Sequence, residues 1–178
     1  MNFLDRFRRK PRPEFGVLMV CMGNLCRSPM AEGVLRHKLA QAGLARRVQV
    51  DSAGTHADRG AAVDHRAVSV AAKRGYALDG LRSRRIVDAD FAQFDWVIAM
   101  DQDNLANLRD LCPPEQHERL LLLLGVAARP NGLRDVPDPY YGAENSFELV
   151  LDLLEPACDA LVLQISKALA AEASDAPV

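Results

Sequence analysis

Apolar residues arrive along this chain in short unbroken runs separated by segments of helical period, and that alternation predicts its architecture. The run G-V-L-M-V-C at residues 16–21 is continuous rather than alternating, as a strand buried on both faces requires. A helix is predicted to follow at once. Ser28 can cap it, Pro29 suits its first position, and Ala31, Val34, Leu35, Leu39 and Ala42 recur at helical spacing until Gly43. V-Q-V-D-S-A-G at 48–54 predicts a second strand, and Val68, Ala71 and Ala72 mark a helix over about 64–75. F-D-W-V-I-A-M at 94–100 predicts a third strand, followed by a helix that Asp101 or Asp103 caps and that Pro113 and Pro114 end. Leu120 to Leu124 predict the fourth strand. A loop rich in Gly, Pro and Asp over 125–145 then leads to a long amphipathic helix over about 146–171, with a kink expected at Pro156. Strands alternating with helices imply the α/β class, with a parallel sheet covered on both faces.

Composition narrows the picture without supplying chemistry. The 178 residues suffice for one sizeable core, and the domain is expected to occupy 16–171. Residues 1–15 read as a basic, flexible extension carrying Arg6, Arg8, Arg9, Lys10 and Arg12 with two prolines, and 172–178 as a small polar tail. Met1, Phe3, Leu4 and Phe7 share a helix-face spacing, but Pro11 cuts that patch too short for a stable membrane insertion. A formal net charge of −2 gives no basic footprint for nucleic acid. The four cysteines lack paired zinc-type spacing, which fits a reducing, cytoplasmic setting.

Candidate chemistry concentrates where the first strand becomes the first helix, in C-M-G-N-L-C-R-S at residues 21–28. Ligands of doubly wound sheets bind at the carboxyl ends of strands, where a following helix offers unpaired N–H groups and the positive end of its dipole. Gly23 and Asn24 tolerate the backbone angles that turn successive N–H groups inward, so Met22, Gly23, Asn24, Leu25, Cys26, Arg27 and Ser28 form a phosphate nest. At its mouth, Cys21 is expected as a thiolate nucleophile. Arg27 supplies a planar charged fork for two phosphoryl oxygens, and Ser28, besides capping, can hydrogen-bond the sulfur as it leaves. A lone C-x5-R match is weak. Its Gly-Asn interior, the Ser-Pro that follows and the flanking strand and helix are what give it weight.

An aryl phosphate also needs a proton for its departing phenolate, whose conjugate acid has a pKa of about 10. D-V-P-D-P-Y-Y-G supplies Asp138 between two prolines as the general acid, with Asp135 the weaker alternative. Tyr140 and Tyr141 are candidate walls for an aromatic ring, and His56 a third.

These segments resemble the low-molecular-weight protein tyrosine phosphatases over about residues 15–170. The likeness rests on V-C-M-G-N-L-C-R-S-P-M-A-E, D-S-A-G-T, F-D-W-V-I-A-M-D and D-P-Y-Y-G in family order. The resemblance implies a single-domain, Rossmann-like fold with a four-stranded parallel sheet, no metal or other cofactor, and hydrolysis of protein phosphotyrosine through a cysteinyl phosphate. It assigns Cys21 as nucleophile, Arg27 as phosphate clamp, Asn24 and Ser28 as loop supports and Asp138 as general acid and base. Cys26 matches the family's second loop cysteine, which implies a reversible Cys21–Cys26 disulfide under peroxide. Bacterial relatives act on tyrosine kinases and exopolysaccharide machinery, so such phosphoproteins are the partners it implies. Where many relatives carry a histidine behind the phosphate loop, the segment G-L-R-S-R-R-I here has Leu81, so a different support for the loop is expected. Three rival readings remain. Two share the fold: a thioredoxin-coupled arsenate reductase, for which Cys112 and Cys158 form no obvious relay, and a protein arginine phosphatase, which the apolar Leu25 disfavours. The third is a noncatalytic phosphate-binding module, which would need neither nucleophile nor acid.

Overall fold

The computed structural model describes residues 13–126 and 132–175. The basic stretch through Arg12, with its suggested helix face, and the last three residues lie outside the described part. Strands and helices alternate as β1 (Phe15–Cys21), α1 (Arg27–Gln41), β2 (Val48–Gly54), α2 (His65–Lys73), α3 (Asp88–Gln93), β3 (Trp96–Ala99) and α4 (Gln102–Leu111). A 3-10 helix (Pro114–Arg119), β4 (Leu120–Leu122), α5 (Leu123–Val126) and α6 (Glu144–Asp175) complete the chain. The four strands form one parallel sheet in the order β2-β1-β3-β4. β1 is therefore central, and the chain crosses to opposite sides of it, so Cys21 ends the strand at the topological switch point where open α/β sheets bind ligands.

Both sheet faces are covered, and β1 feeds each of them. Val17 and Met19 join α1, α2 and α6 in one core, whereas Leu18 and Val20 join Phe91 of α3, Phe94 and Leu105 and Leu108 of α4 in the other. That two-sided burial is why β1 is apolar at every position. Gly43 stops α1 in the left-handed conformation, at φ +73°, with Leu44 N–H on the Leu39 carbonyl at 2.8 Å, a Schellman-type ending. Gly33 lets α1 press on the segment before Gly80, since a Cβ there would come 2.3 Å from Leu78 Cδ2.

The observed boundaries shift for local reasons. β1 begins at Phe15 rather than at 16, because Glu14 and Phe15 N–H both reach the Arg47 carbonyl. α6 extends through Asp175 and continues past Pro156, so residues 172–175 belong to the helix rather than to a tail. β3 starts only at Trp96, because Asp95 turns its carboxylate onto Gly16 N–H at 2.7 Å. β4 stops at Leu122, and Leu123 and Leu124 wind into α5, where both are buried in the core shared with α6. The short α3 is not marked by any hydrophobic period. It is closed by Asp90, whose Oδ2 accepts Val87 N–H at 2.9 Å. Among the described residues no helix is long and apolar enough to cross a membrane.

Candidate active site

The turn after β1 buries Asn24 and Cys26 and leaves Met22 exposed at its outer side. Asn24 holds φ at +53°, the only described non-glycine residue in the left-handed region, and is 1 % exposed. Gly23 does not share that conformation, which corrects the expectation that both residues bend the loop. Asn24 N–H points back to Cys21 Sγ at 3.3 Å, and Ser28 Oγ lies 3.0 Å from the same sulfur. Ser28 is not the helix cap. The cap position is Cys26, Ser28 sits within the first turn of α1, and its hydroxyl is left for the sulfur and for the Ala53 carbonyl at 3.3 Å. Pro29 is likewise tolerated within the first turn, where its missing N–H costs no helical hydrogen bond.

β2 backs this loop closely. Thr55 N–H donates to the Cys21 carbonyl and His56 N–H to the Met22 carbonyl, at 3.0 and 2.9 Å. A Cβ on Gly54 would stand 2.5 Å from the Met22 carbonyl oxygen and 2.9 Å from Asn24 N, so only glycine fits there. Support from behind Asn24 comes from the backbone: its Oδ1 accepts Arg84 N–H at 2.9 Å, while Leu81 packs against the core. The Arg84 guanidinium fixes that strap by pairing with Asp51 and Asp90.

Arg27, 3 % exposed, joins three elements. Its Nη1 donates to Asp101 Oδ2 and, at 3.1 Å, to the Val136 carbonyl, and its Nη2 donates to Asp138 Oδ2 at 2.8 Å. Burial opposes its charge, but Cys21, Asp101 and Asp138 more than offset that and hold its pKa above the usual guanidinium value. Asp101 also caps α4 by accepting Asn104 N–H at 2.6 Å. Sequence reasoning read only that cap. The second task of Asp101 had no local signal, since it depends on the end of β3 lying beside the end of β1, from which Arg27 follows.

The loop bearing Asp138 is fastened at three points. Val136 N–H reaches the Met100 carbonyl at 2.8 Å, and Asp138 Oδ1 accepts Tyr140 N–H at 3.1 Å. Arg66, at the start of α2, donates to the Tyr140 and Gly142 carbonyls, both at 2.8 Å, and lies 4.6 Å above the Phe147 ring. It is oriented by a double contact with Asp64, which caps α2 and whose N–H holds the Leu25 carbonyl of the phosphate loop at 2.9 Å. Asp64 and Arg66 thus tie the two loops together, a role invisible until α2 is placed between them.

Cys21, Met22, Gly23, Leu25, Cys26, Arg27, Asp138, Tyr140 and Tyr141 line one cavity of about 190 Å³. Residues more than a hundred positions apart are therefore brought together as the sequence predicts. Tyr140 and Tyr141 meet edge to face at 5.0 Å, with Tyr141 standing 98 % exposed at the rim. His56 is the exception. It is exposed beside Thr55 Oγ1 and faces a neighbouring cleft with Arg85 and Asp110, so it is no wall of this cavity. Asp135 is engaged with Gln102 N–H at 3.0 Å, outside the cavity. Cys26 is pushed up to about 12, first by burial and then by Asp64, so it stays a thiol. All four cysteines are free, and among the described residues no group of three His, Cys, Asp or Glu is disposed to hold a metal ion.

A parallel α/β sheet with a Cys-x5-Arg loop at its switch point is the class of anion-binding fold that the structure defines, and comparison with known proteins gives the family. The model of the low molecular weight phosphotyrosine protein phosphatases matches residues 16–173. A low molecular weight protein-tyrosine-phosphatase of Streptomyces coelicolor is 41 % identical over 156 residues, covering 85 % of this chain and 93 % of the relative. The crystal structure of a protein tyrosine phosphatase from Entamoeba histolytica superposes with a TM-score of 0.82 at 37 % identity, covering 86 % of this chain and 98 % of the other. A low molecular weight phosphotyrosine phosphatase from Vibrio cholerae gives 0.81 at 38 % identity, with 86 % and 98 % coverage. The chain belongs to the low molecular weight phosphotyrosine protein phosphatase family and is a phosphatase enzyme.

Proposed function

We propose that this enzyme hydrolyses protein phosphotyrosine through a cysteinyl-phosphate intermediate, with Cys21 as nucleophile, Arg27 as phosphate clamp and Asp138 as general acid and base. The observation that carries this reading is the Cys21 sulfur flanked by Ser28 Oγ and Asn24 N–H in one cavity with Arg27, Asp138 and two tyrosines. The Cys21 thiolate attacks phosphorus, the bond from phosphorus to the tyrosine oxygen breaks, and protonated Asp138 donates to the departing phenolate. Asp138 then takes a proton from water as the water oxygen attacks phosphorus. The P–S bond breaks, and the thiolate leaves with Ser28 and Asn24 on its sulfur. Asp101 and the Val136 carbonyl steady one arm of Arg27, so the other arm, on Asp138 in this structure, is the one to be exchanged for phosphoryl oxygen.

Met22, Leu25 and the two tyrosines give the cavity walls that suit a phenyl ring better than a guanidinium, which favours phosphotyrosine over phosphoarginine. Cys26 lines the same cavity as Cys21, and this supports a reversible disulfide after peroxide converts Cys21 to a sulfenic acid, with water lost as the second thiol condenses. Four free thiols suit a reducing compartment such as the cytoplasm. The test is turnover of phosphotyrosine and phosphoarginine peptides by wild type, Cys21→Ser and Asp138→Asn. Phosphotyrosine turnover is expected in wild type, to vanish in the first variant and to fall in kcat in the second. Unchanged activity in Cys21→Ser refutes the mechanism, a preference for phosphoarginine refutes the substrate, and an inactive wild type favours a binding module.

A further inference from the structure

Glu32 is a carboxylate in the body of α1, with a side chain only 1 % exposed, and the mechanism above makes no use of it. Its Oε1 faces the Arg36 guanidinium at 2.6 Å, one helical turn on. Its Oε2 accepts the hydroxyl proton of Ser52 at 2.5 Å, in the middle of β2. Burial raises the Glu32 pKa and Asp51 adds to that, while the Ser52 hydroxyl bond, Arg36 and Arg84 oppose it.

We infer that Glu32 is a positioning residue for the Cys21 sulfur, acting through Ser52, Asn24 and Ser28; the inference rests on the phosphatase mechanism proposed above. Counting protons along the chain fixes its direction. Asn24 Oδ1 is occupied by Arg84 N–H, which settles the orientation of the amide. Both Nδ2 protons are then spent, one on Ser52 Oγ and one on Ser28 Oγ, each at 2.9 Å. Each serine oxygen therefore already accepts, and each has one proton to give. Glu32 takes the proton of Ser52. The proton of Ser28 is left for the sulfur at 3.0 Å, with the Ala53 carbonyl farther off at 3.3 Å.

Without an acceptor at position 32, the Ser52 hydroxyl is buried with a proton and no place for it. It then competes for the amide, and the setting of Asn24 and Ser28 loosens. The relay also explains how the loop is held with an apolar residue, Leu81, in the segment before Arg84. An apolar side chain offers Asn24 nothing, and the charge that anchors the network enters from α1 instead. The effect is to hold the Ser28 proton toward the sulfur when the thiolate is the leaving group, so breakdown of the cysteinyl phosphate is the step that feels it.

Burst kinetics with p-nitrophenyl phosphate test this. Loss of one buried hydrogen bond to a charged group predicts that kcat of Glu32→Leu falls about tenfold and that KM falls with it, kcat/KM moving less than about twofold because only the breakdown step slows. The burst amplitude should rise toward the enzyme concentration as breakdown slows. Glu32→Gln, whose Oε1 can still accept from Ser52, should lose no more than about threefold. Ser52→Ala should match Glu32→Leu, and the double variant should lose nothing further, because both cut the same chain. Unchanged kcat in folded Glu32→Leu, or losses that multiply in the double variant, overturns the inference. Should Glu32→Leu fail to fold, Ser52→Ala decides: unchanged kcat overturns the relay, and a loss of kcat that also cancels the smaller effect of Glu32→Gln supports it. An active Cys21→Ser refutes the phosphatase mechanism itself and is read separately from the Glu32 arms.

Discussion

Arg66→Met removes the tie between α2 and the loop of the general acid while keeping an apolar stem against Phe147. In the wild type Arg66 gives that loop two bonds to neutral carbonyls, those of Tyr140 and Gly142, both at 2.8 Å. At about 0.5–1.5 kcal/mol each, they favour the held loop by about 1–3 kcal/mol, which corresponds to about 5- to 150-fold in population. Asp138 lies two residues before Tyr140 and accepts its N–H, so a loosened loop displaces the carboxyl group rather than the nucleophile. The loss should therefore depend on how much the leaving group needs a proton. The assay compares kcat/KM, which reports the leaving-group step, for phenyl phosphate, whose phenol has a pKa of about 10, with that for p-nitrophenyl phosphate, whose phenolate departs far more easily. Arg66→Met is expected to lose about 10-fold or more on the first, and severalfold less on the second. In an Asp138→Asn background the same substitution should add little, since the acid it positions is gone. Equal losses on both substrates, or full additivity with Asp138→Asn, would refute this account and reduce Arg66 to a stabilising contact.

Three further outcomes follow from the geometry. Arg27→Lys replaces the fork that reaches Asp101, Val136 and Asp138 with a single ammonium, and kcat/KM should drop about 100-fold or more in steady-state assays, with retained activity contradicting the clamp. Gly54→Ala drives a Cβ into the Met22 carbonyl and Asn24 N, so kcat should fall at least about tenfold while far-UV circular dichroism stays native; an unaffected kcat would show that the loop yields. Burial pushes the Cys158 thiol up to about 12, whereas the unfolded thiol ionises near about 8.5. Between those values the unfolded state has lost a proton that the folded state keeps. Stability is thus whole below the lower value and falls as pH rises, by about 1.4 kcal/mol per unit for this group. Urea titrations at pH 7, 9 and 10 should show the decline, and Cys158→Ala should flatten it; an identical slope in the variant would remove Cys158 as the cause.

What the sequence determined is whatever depends on neighbours along the chain. The unbroken apolar run of β1, the helical period of α1 and α2 and the stop at Gly43 follow from which faces must be buried and which backbone angles glycine permits. So does the phosphate loop, because a nest and its helix N-terminus are local structures. Asp138 and the tyrosines were legible as chemistry looking for a partner, and the repeated strand-helix alternation placed them at the same sheet edge as Cys21. Tertiary structure decided what each buried polar group touches. Asp101 reads as a cap until β3 lies beside β1 and brings it to Arg27, and nothing along the chain marks Ser52 and Glu32 until β2 and α1 close on each other. His56 reads as a wall until its backbone, rather than its ring, is seen to serve the loop. A hydrogen bond needs donor and acceptor within about 3 Å, and residues from different elements meet that condition only when packing sets their distance. The reaction class was written in the sequence at Cys21 and Arg27, whereas the holding of the Cys21 sulfur was settled only when the sheet brought Asn24, Ser28, Ser52 and Glu32 into one chain.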